Sequence, residues 1–308
     1  AEEPPTGHWA LNYGPISVHR RDDWMVSVKG HSRYLWAFER SLTDARLDDR
    51  MQNVLGFHDS SASIFIHLRG EPINAFDSGY GGDGWDWCHI PGATTRSIPA
   101  AELLEMDRAS EGKPLNRPFG SSTFVGGVSL GQRYGVFAMQ SREVAPDRRR
   151  DGLRCIKAMF FFDDQIVVIT RGINNGDGIH PAATTLFQCR PPDSKTPIWI
   201  RGERVTDLET RRHFEDGKPL TLVDPVGNAL AARGFGSRRN LRSASMTRPF
   251  DNAHGGAGIA HGTRSVSPSC VEPGARMNPA GAPQTAGQVT QPIVGARRRP
   301  AASARLQP

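Results

Sequence analysis

Two segments gather arginine, histidine, aspartate and tryptophan at short spacing. One is His19-Arg20-Arg21-Asp22-Asp23-Trp24 followed by Gly30-His31-Ser32-Arg33-Tyr34-Leu35-Trp36; the other is Gly84-Trp85-Asp86-Trp87 running into Pro91-Gly92-Ala93-Thr94-Thr95. These side chains suit an acidic sugar polymer. A guanidinium fork matches a carboxylate or sulfate, and an indole covers the apolar face of a pyranose ring. In an extended segment Arg20 and Arg21 face opposite ways. One can then enter a cleft while the other pairs with Asp22 or Asp23; the plainer reading is a solvated ion-pair cluster at the start of a strand. The glycines at 79, 81, 82 and 84 permit tight, irregular turns. Trp85 and Trp87 share a side if their segment is extended, whether they face a ligand or anchor a loop.

The elements that would position these groups read as short strands. Trp24–Lys29 and Ser63–Leu68 alternate, Tyr134–Gln140 and Cys155–Phe162 follow, and Ile166–Thr170 lies across Asp163-Asp164-Gln165, a plausible hairpin turn. Thr184–Cys189, Ile198–Ile200 and Leu220–Val223 continue the series. Gly, Pro, Asn and Asp punctuate at intervals of about ten residues, the rhythm of an antiparallel sandwich. One short helix is expected, Ala100–Ala109 after Pro99.

The chain has 308 residues, enough for one large or two ordinary domains. Its net charge of +6 is unevenly spread: residues 233–308 hold eleven Arg against one Asp and one Glu, +9, which leaves −3 for residues 1–232. The basic character is therefore no sign of nucleic-acid binding by the folded part. Residues 233–308 have no Trp, Tyr or Lys and much Gly, Ala, Pro, Ser and Arg. Such a stretch buries too little apolar surface to offset its ordering entropy and is expected to be a disordered, low-complexity basic tail. A sharper reading is translation out of frame, since GC-rich DNA gives this bias in a wrong frame. No run of 18 apolar residues exists, so no membrane-spanning helix is expected. The start at Ala1 is what a mature product or a fragment would show.

Cys88, Cys155, Cys189 and Cys270 form no CxxC pair and no zinc spacing; buried thiols are expected, with a Cys155–Cys189 disulfide as the alternative. Asn174-Asn175-Gly176-Asp177-Gly178 and Asp163-Asp164 offer oxygen ligands for calcium, but turns favour the same residues, so no metal or other cofactor is expected. Gly127-x-Ser129-x-Gly131 matches a hydrolase nucleophile elbow, yet a strand follows it where that motif needs a helix.

The order and spacing of the two opening segments resemble the central domain of polysaccharide lyase family 8, in its chondroitin sulfate ABC lyase branch, over roughly residues 7–230. The resemblance implies an all-β fold: a large antiparallel β-sandwich, galactose-mutarotase-like, the super-sandwich of these lyases. It implies cleavage of a sulfated or uronic-acid polysaccharide by β-elimination, in which a base removes the C5 proton of a uronate and an acid protonates the leaving oxygen. On this match Arg21 is the active-site arginine with Arg20 as neighbour. His19, Trp85, Asp86, Trp87, His89 and Arg96 become substrate contacts, although a histidine such as His19 is more often structural. His31, Arg33, Tyr34 and Trp36 receive no catalytic role, and packing is the default for Tyr34 and Trp36.

The chain also departs from the family. The stretch Ser129-Leu130-Gly131-Gln132-Arg133-Tyr134-Gly135 has Gly131 where the family places a glutamate, and no carboxylate lies within it. The family's tyrosine and histidine belong to a preceding helical toroid, and His8 and Tyr13 are not in matching context. This polypeptide is expected to lack lyase activity on its own. The competing class is a non-catalytic carbohydrate-binding or scaffold domain. A secreted or periplasmic monomer is expected, with no nucleic-acid or membrane partner.

Overall fold

The computed structural model describes residues 5–22, 24–39, 56–68, 86–109, 117–144, 152–186, 188, 196–206, 212, 214, 218–225, 227–233 and 291–297. Strands β1 (Gly7–Leu11), β2 (Ile16–Arg21), β3 (Trp24–Lys29) and β4 (Ser63–Leu68) form an antiparallel meander in chain order. The motif expected at the start of a strand instead spans a hairpin: His19, Arg20 and Arg21 end β2, and Trp24 opens β3 opposite Arg21. The turn between them is two residues long and puts Asp22 at φ 46°, a left-handed conformation that Asp tolerates.

A second sheet has nine strands in the order β12-β11-β13-β14-β15-β9-β8-β7-β6. They are β6 (Val125–Leu130), β7 (Tyr134–Arg142), β8 (Arg154–Phe161), β9 (Ile166–Asn174), β11 (Ile198–Ile200), β12 (Glu203–Val205), β13 (Leu220–Val223), β14 (Ala229–Ala232) and β15 (Gln291–Arg297). A two-strand ribbon joins β5 (Thr94–Arg96) to β10 (Ala182–Thr184). β10 replaces the strand expected over Thr184–Cys189. The turn over 163–165 is the β8–β9 hairpin, as read. Gln291–Arg297 pairs with β14 and β9; the remainder of the supposed tail, 234–290 and 298–308, lies outside the described residues.

The two sheets face each other through the alternation that defines their strands. Val26 and Val28 of β3 meet Phe137 and Met139 of β7, Met159 and Phe161 of β8, and Ile166 and Val168 of β9, all buried in one cluster. Each such side chain contributes roughly 1.5–3 kcal/mol by leaving water. The helix α1 spans Ala100–Ala109, the range expected; Ala100, Leu103 and Met106 recur every third residue and pack on Ala37, Phe38, Phe57, Cys88, Ile98 and Val144. The far strands carry a third cluster, Ile198, Ile200, Val205, Leu220, Leu222 and Leu230. Cys88 and Cys155 are free, buried thiols; Cys189 and Cys270 lie outside the described residues.

Polar contacts also tie the layers together. The Asn12 side-chain amide donates to the Gly127 carbonyl (3.1 Å), and its oxygen accepts from the Gly127 N–H (2.7 Å). Lys157, wholly buried in mid-β8, donates from Nζ to the carbonyl of Gly92, and burial lowers its pKa to about 8. Gly92 has φ +77°, and a Cβ there would sit 2.6 Å from Ile64 Cγ1 and 2.8 Å from the Ile64 backbone nitrogen. Gly92→Ala should therefore cost about 3 kcal/mol, from the left-handed backbone plus overpacking against a strand that cannot retreat. A urea midpoint matching the wild type would contradict this packing.

Candidate functional site

The residues singled out from the sequence separate into two groups at opposite ends of the sandwich. Strand β7 starts beside Asp163, whose carboxylate meets the Tyr134 hydroxyl at 3.4 Å, and ends at Arg142, whose carbonyl meets His31 Nε2 at 3.2 Å. Nine residues of strand, Tyr134–Arg142, span roughly 27 Å.

At the first end lie His19, Arg20, Arg21 and Gly131. Ser17, His19 and Arg21 point inward along β2 and Arg20 sideways, the alternation expected. Arg21 is 9% exposed. Its guanidinium donates to the carbonyls of Arg20 (2.8 Å) and Arg133 and pairs with Asp163 at 3.6 Å. All of this holds the β2–β3, β6–β7 and β8–β9 turns together. Arg21 thus clamps three hairpins. His19 is fully buried between Trp24 and Phe161, with Nε2 near the Asp163 carbonyl at 3.3 Å. Burial holds its pKa below the ordinary value. Gly131 has φ +56° in an open turn, where a Cβ would touch nothing within 4 Å. Ser129 sits inside β6 and donates to the His8 carbonyl at 2.8 Å, with no elbow.

At the second end lies the loop over residues 86–97. Trp85 is outside the described residues. Asp86 Oδ2 meets His89 Nδ1 at 2.7 Å, and His89 Nε2 meets Ser97 Oγ at 2.9 Å. Asp86 Oδ1 accepts from the Cys88 N–H at 2.9 Å. Burial raises the Asp86 pKa, but the hydrogen bond and charge of His89 outweigh it and hold the carboxyl below the usual range. His89 and Trp87 keep part of their surface open. Arg96 does not: it is fully buried, with Nε on Glu143 at 2.5 Å and Nη1 on Asp177 at 3.0 Å. Asp177 also meets His180 Nδ1 at 2.6 Å, and His180 Nε2 meets Glu102 at 2.9 Å. Arg96 is thus the centre of an internal network that fastens β5 to α1. The same bonds take Asp177 out of the calcium reading. Among the described residues no group of three or more His, Cys, Asp or Glu is placed to hold a metal ion.

This end also holds residues the sequence reading set aside. Segment 31–38 lies along segment 117–122 through Arg33 N–H to the Ser122 carbonyl, Ala37 N–H to the Pro118 carbonyl (both 2.8 Å) and Gly120 N–H to the Ser32 carbonyl (3.1 Å). His31, buried behind them, reaches the Ser60 carbonyl at 3.0 Å. Ala37 and Phe38 point into the α1 cluster together with Cys88, which brings this segment beside the loop of Asp86 and His89. Four aromatic side chains here are open to water: Tyr34 is 68% exposed, Trp36 43%, Phe119 48% and nearby Phe124 54%. The expectation that Tyr34 and Trp36 pack inside is corrected: Tyr34 is exposed, and Trp36 packs at the surface against Phe119 and Arg117. Arg33 lies over the Tyr34 ring at 5.5 Å, Arg117 over Trp36 at 5.1 Å, and Trp36 meets Phe119 edge-on at 6.2 Å. Glu39 completes the group through an ion pair with Arg117. No local pattern announces Glu39, Arg117 or Phe119; 78 residues separate Glu39 from Arg117, and only the fold unites them.

A family model described as polysaccharide lyase family 8, super-sandwich domain, matches residues 6–234. A chondroitin sulfate ABC exolyase of Proteus vulgaris is 29% identical over 235 residues, covering 74% of this chain and 22% of that protein. One of Bacteroides thetaiotaomicron is 33% identical over 199 residues, covering 63% of this chain and 18% of the relative. The chain therefore spans about a fifth of the length of these relatives. A solved Paenibacillus xanthan lyase superposes with TM-score 0.60 at 14% identity, covering 99% of this chain and 26% of that one, a likeness of fold. Among the described residues no helix is long and apolar enough to cross a membrane.

Proposed function

This chain belongs to polysaccharide lyase family 8, and from that premise we propose that it is the polysaccharide-binding super-sandwich portion of a glycosaminoglycan lyase. It grips a uronic-acid or sulfated chain with the face made by residues 33–39 and 117–119. The observation that carries this reading is the exposure of Tyr34, Trp36 and Phe119 beside two arginines. Clustered bare aromatics on a surface mark a ligand, and the arginines supply the charge that a carboxylate or sulfate needs. Asp86, Trp87 and His89 border the same end. Arg33 and Arg117, rather than Arg21, are the guanidinium groups placed to meet the polymer.

β-Elimination at a uronate needs a base tuned for a weak carbon acid and stabilisation of an enolate-like anion. Among the described residues no tyrosine hydroxyl is hydrogen-bonded to a histidine, and the arginine expected to help is enclosed. We therefore expect this polypeptide to bind chondroitin sulfate without producing unsaturated uronate; clear ultraviolet-detected turnover would overturn that. A polymer of this kind is met outside the cytoplasm, so a secreted or periplasmic setting forms part of the proposal.

Titration calorimetry with chondroitin sulfate oligosaccharides separates the readings. Trp36→Ala should weaken binding about tenfold, or 1.4 kcal/mol, with unchanged melting because the ring is on the surface. Arg21→Ala should lower stability and leave the affinity of the folded protein alone. The reverse pattern would return the site to the other end, and a wild type that binds nothing would leave a scaffold.

A further inference from the structure

One group on the loop over residues 86–97 is arranged for a step that polymer binding does not need. Asp86 Oδ2 meets His89 Nδ1 at 2.7 Å, and His89 Nε2 meets Ser97 Oγ at 2.9 Å. A carboxylate only accepts, so Nδ1 carries the ring proton, and Nε2 of the neutral ring is left to receive the Ser97 hydroxyl. Carboxylate, imidazole and hydroxyl are thereby ordered as a nucleophile, its base and the group that holds the base. The surrounding bonds fix the trio. Asp86 Oδ1 accepts from the Cys88 N–H at 2.9 Å. The Gln188 side chain receives the Asp86 N–H at 2.7 Å and donates to the carbonyls of Asp86 and His89 at 3.2 and 3.3 Å. The Ser97 N–H donates to the Pro181 carbonyl at 2.9 Å. Solvent still reaches the group: the side chains of Asp86 and His89 are 47% and 32% exposed, and Ser97 is half-buried.

We propose that Ser97, His89 and Asp86 form a catalytic centre that hydrolyses carboxylic esters of a short acyl group, a chemistry separate from the polymer binding read above. Ser97 Oγ bonds to the ester carbonyl carbon while its proton passes to His89 Nε2. The tetrahedral carbon then expels the alcohol oxygen, which takes that proton, and the acyl group stays on Ser97. Water repeats the exchange: His89 takes a proton from it, its oxygen bonds to the acyl carbon, and the acid leaves as Ser97 regains its hydrogen. One ester and one water give one acid and one alcohol, and nothing is oxidised or reduced. Asp86 is the positioning residue. A short acyl group suits a trio that is approached from the surface. The Ser97 N–H is spent on Pro181, so the oxyanion needs other donors. Helix α1 opens soon after Ser97, at Ala100, and the first N–H groups of a helix meet no carbonyl of that helix. Lacking one oxyanion donor costs about 10²–10³ in rate, so turnover should be slow and the covalent adduct the clear signal.

The test is reaction of the full chain with diisopropyl fluorophosphate, read by intact mass and peptide mapping. A single adduct should form, on Ser97, and none in Ser97→Ala. His89→Gln and Asp86→Asn should each slow labelling about a thousandfold at pH 7. The first removes the base; the second turns the ring to the tautomer that cannot take the proton. Labelling of Asp86→Asn should recover as pH rises, which loss of a merely structural bond would not produce. 4-Nitrophenyl acetate should release a burst of about one equivalent of 4-nitrophenolate per chain, with the acetyl group found on Ser97. A structural clasp would use the same bonds and leave Ser97 unlabelled. No adduct on the wild type, or equal labelling of His89→Gln, overturns the proposal. Neither probe is a sugar, so such a failure leaves the polymer reading standing, and loss of polymer binding leaves this one.

Discussion

Acidification from pH 7 to pH 4 is expected to cost the protein about 4 kcal/mol, through two buried neutral histidines. His8 is 1% exposed and His58 fully buried. Burial lowers their pKa values from 6.5 to about 4 and about 3, helped by the nearby charge of His19 and Arg21 for the first and of His89 and Arg96 for the second. All ring nitrogens of both are without a partner, so neither can share an added proton. Below pH 6.5 the unfolded chain takes up those protons and the native state does not. The stability is therefore complete above 6.5 and lost as pH falls towards 4 and then 3. At about 1.4 kcal/mol per pH unit, each histidine withholds about 3 kcal/mol by pH 4. Asp59 opposes them. Desolvation raises its carboxyl from 3.8 to about 6, so its protonation on the way down to pH 4 restores about 2 kcal/mol. The two histidines outweigh the one aspartate. Urea midpoints at pH 7 and pH 4 measure the sum, and His58→Gln should remove most of the slope; a stability flat across this range would refute the account.

Replacing Arg96 by Met should destabilise the protein by about 4 kcal/mol, because breaking a buried ion network leaves its carboxylates in a dry interior. Glu143 and Asp177 are 2% and 1% exposed at their side chains. Desolvation already raises the Glu143 pKa, and Arg96 is the chief group holding it down. Without the guanidinium, Glu143 takes up a proton. Asp177 keeps His180, so the loss is partial at that oxygen. Adding Glu143→Leu to Arg96→Met should recover part of the stability, since the buried carboxyl left without its partner is gone. A single variant as stable as wild type would mean that water reaches the network.

Much of the fold was legible because strands write themselves at period two. Trp24–Lys29 and Ser63–Leu68 have the bounds read from alternation, Ile198–Ile200 and Leu220–Val223 those read from the rhythm of strands and turns, and α1 those read after Pro99. β1, β2 and β6 were not seen: His8, His19 and Arg21 put polar side chains on inward positions, and Gly126-Gly127 gives β6 no pattern. The site was less legible for the same reason. Arginine, histidine and aspartate at short spacing are the ingredients both of a sugar site and of a buried clamp. Only burial separates Arg21 and Arg96, which are enclosed, from Arg33 and Arg117, which are not. Trp36 illustrates the converse, since a tryptophan read as core packs at the surface against Phe119 and Arg117.

The Asn12 amide bonded to Gly127 has one more effect. β6 is the outermost strand of the nine-stranded sheet, and a bare edge invites another chain to add a strand. Asn12 occupies donor and acceptor of the central residue of that edge with the groups a neighbouring strand would use. The hairpin that closes the sandwich thus also guards it: a second copy of the protein approaching β6 meets the donor and acceptor of Gly127 already taken by Asn12.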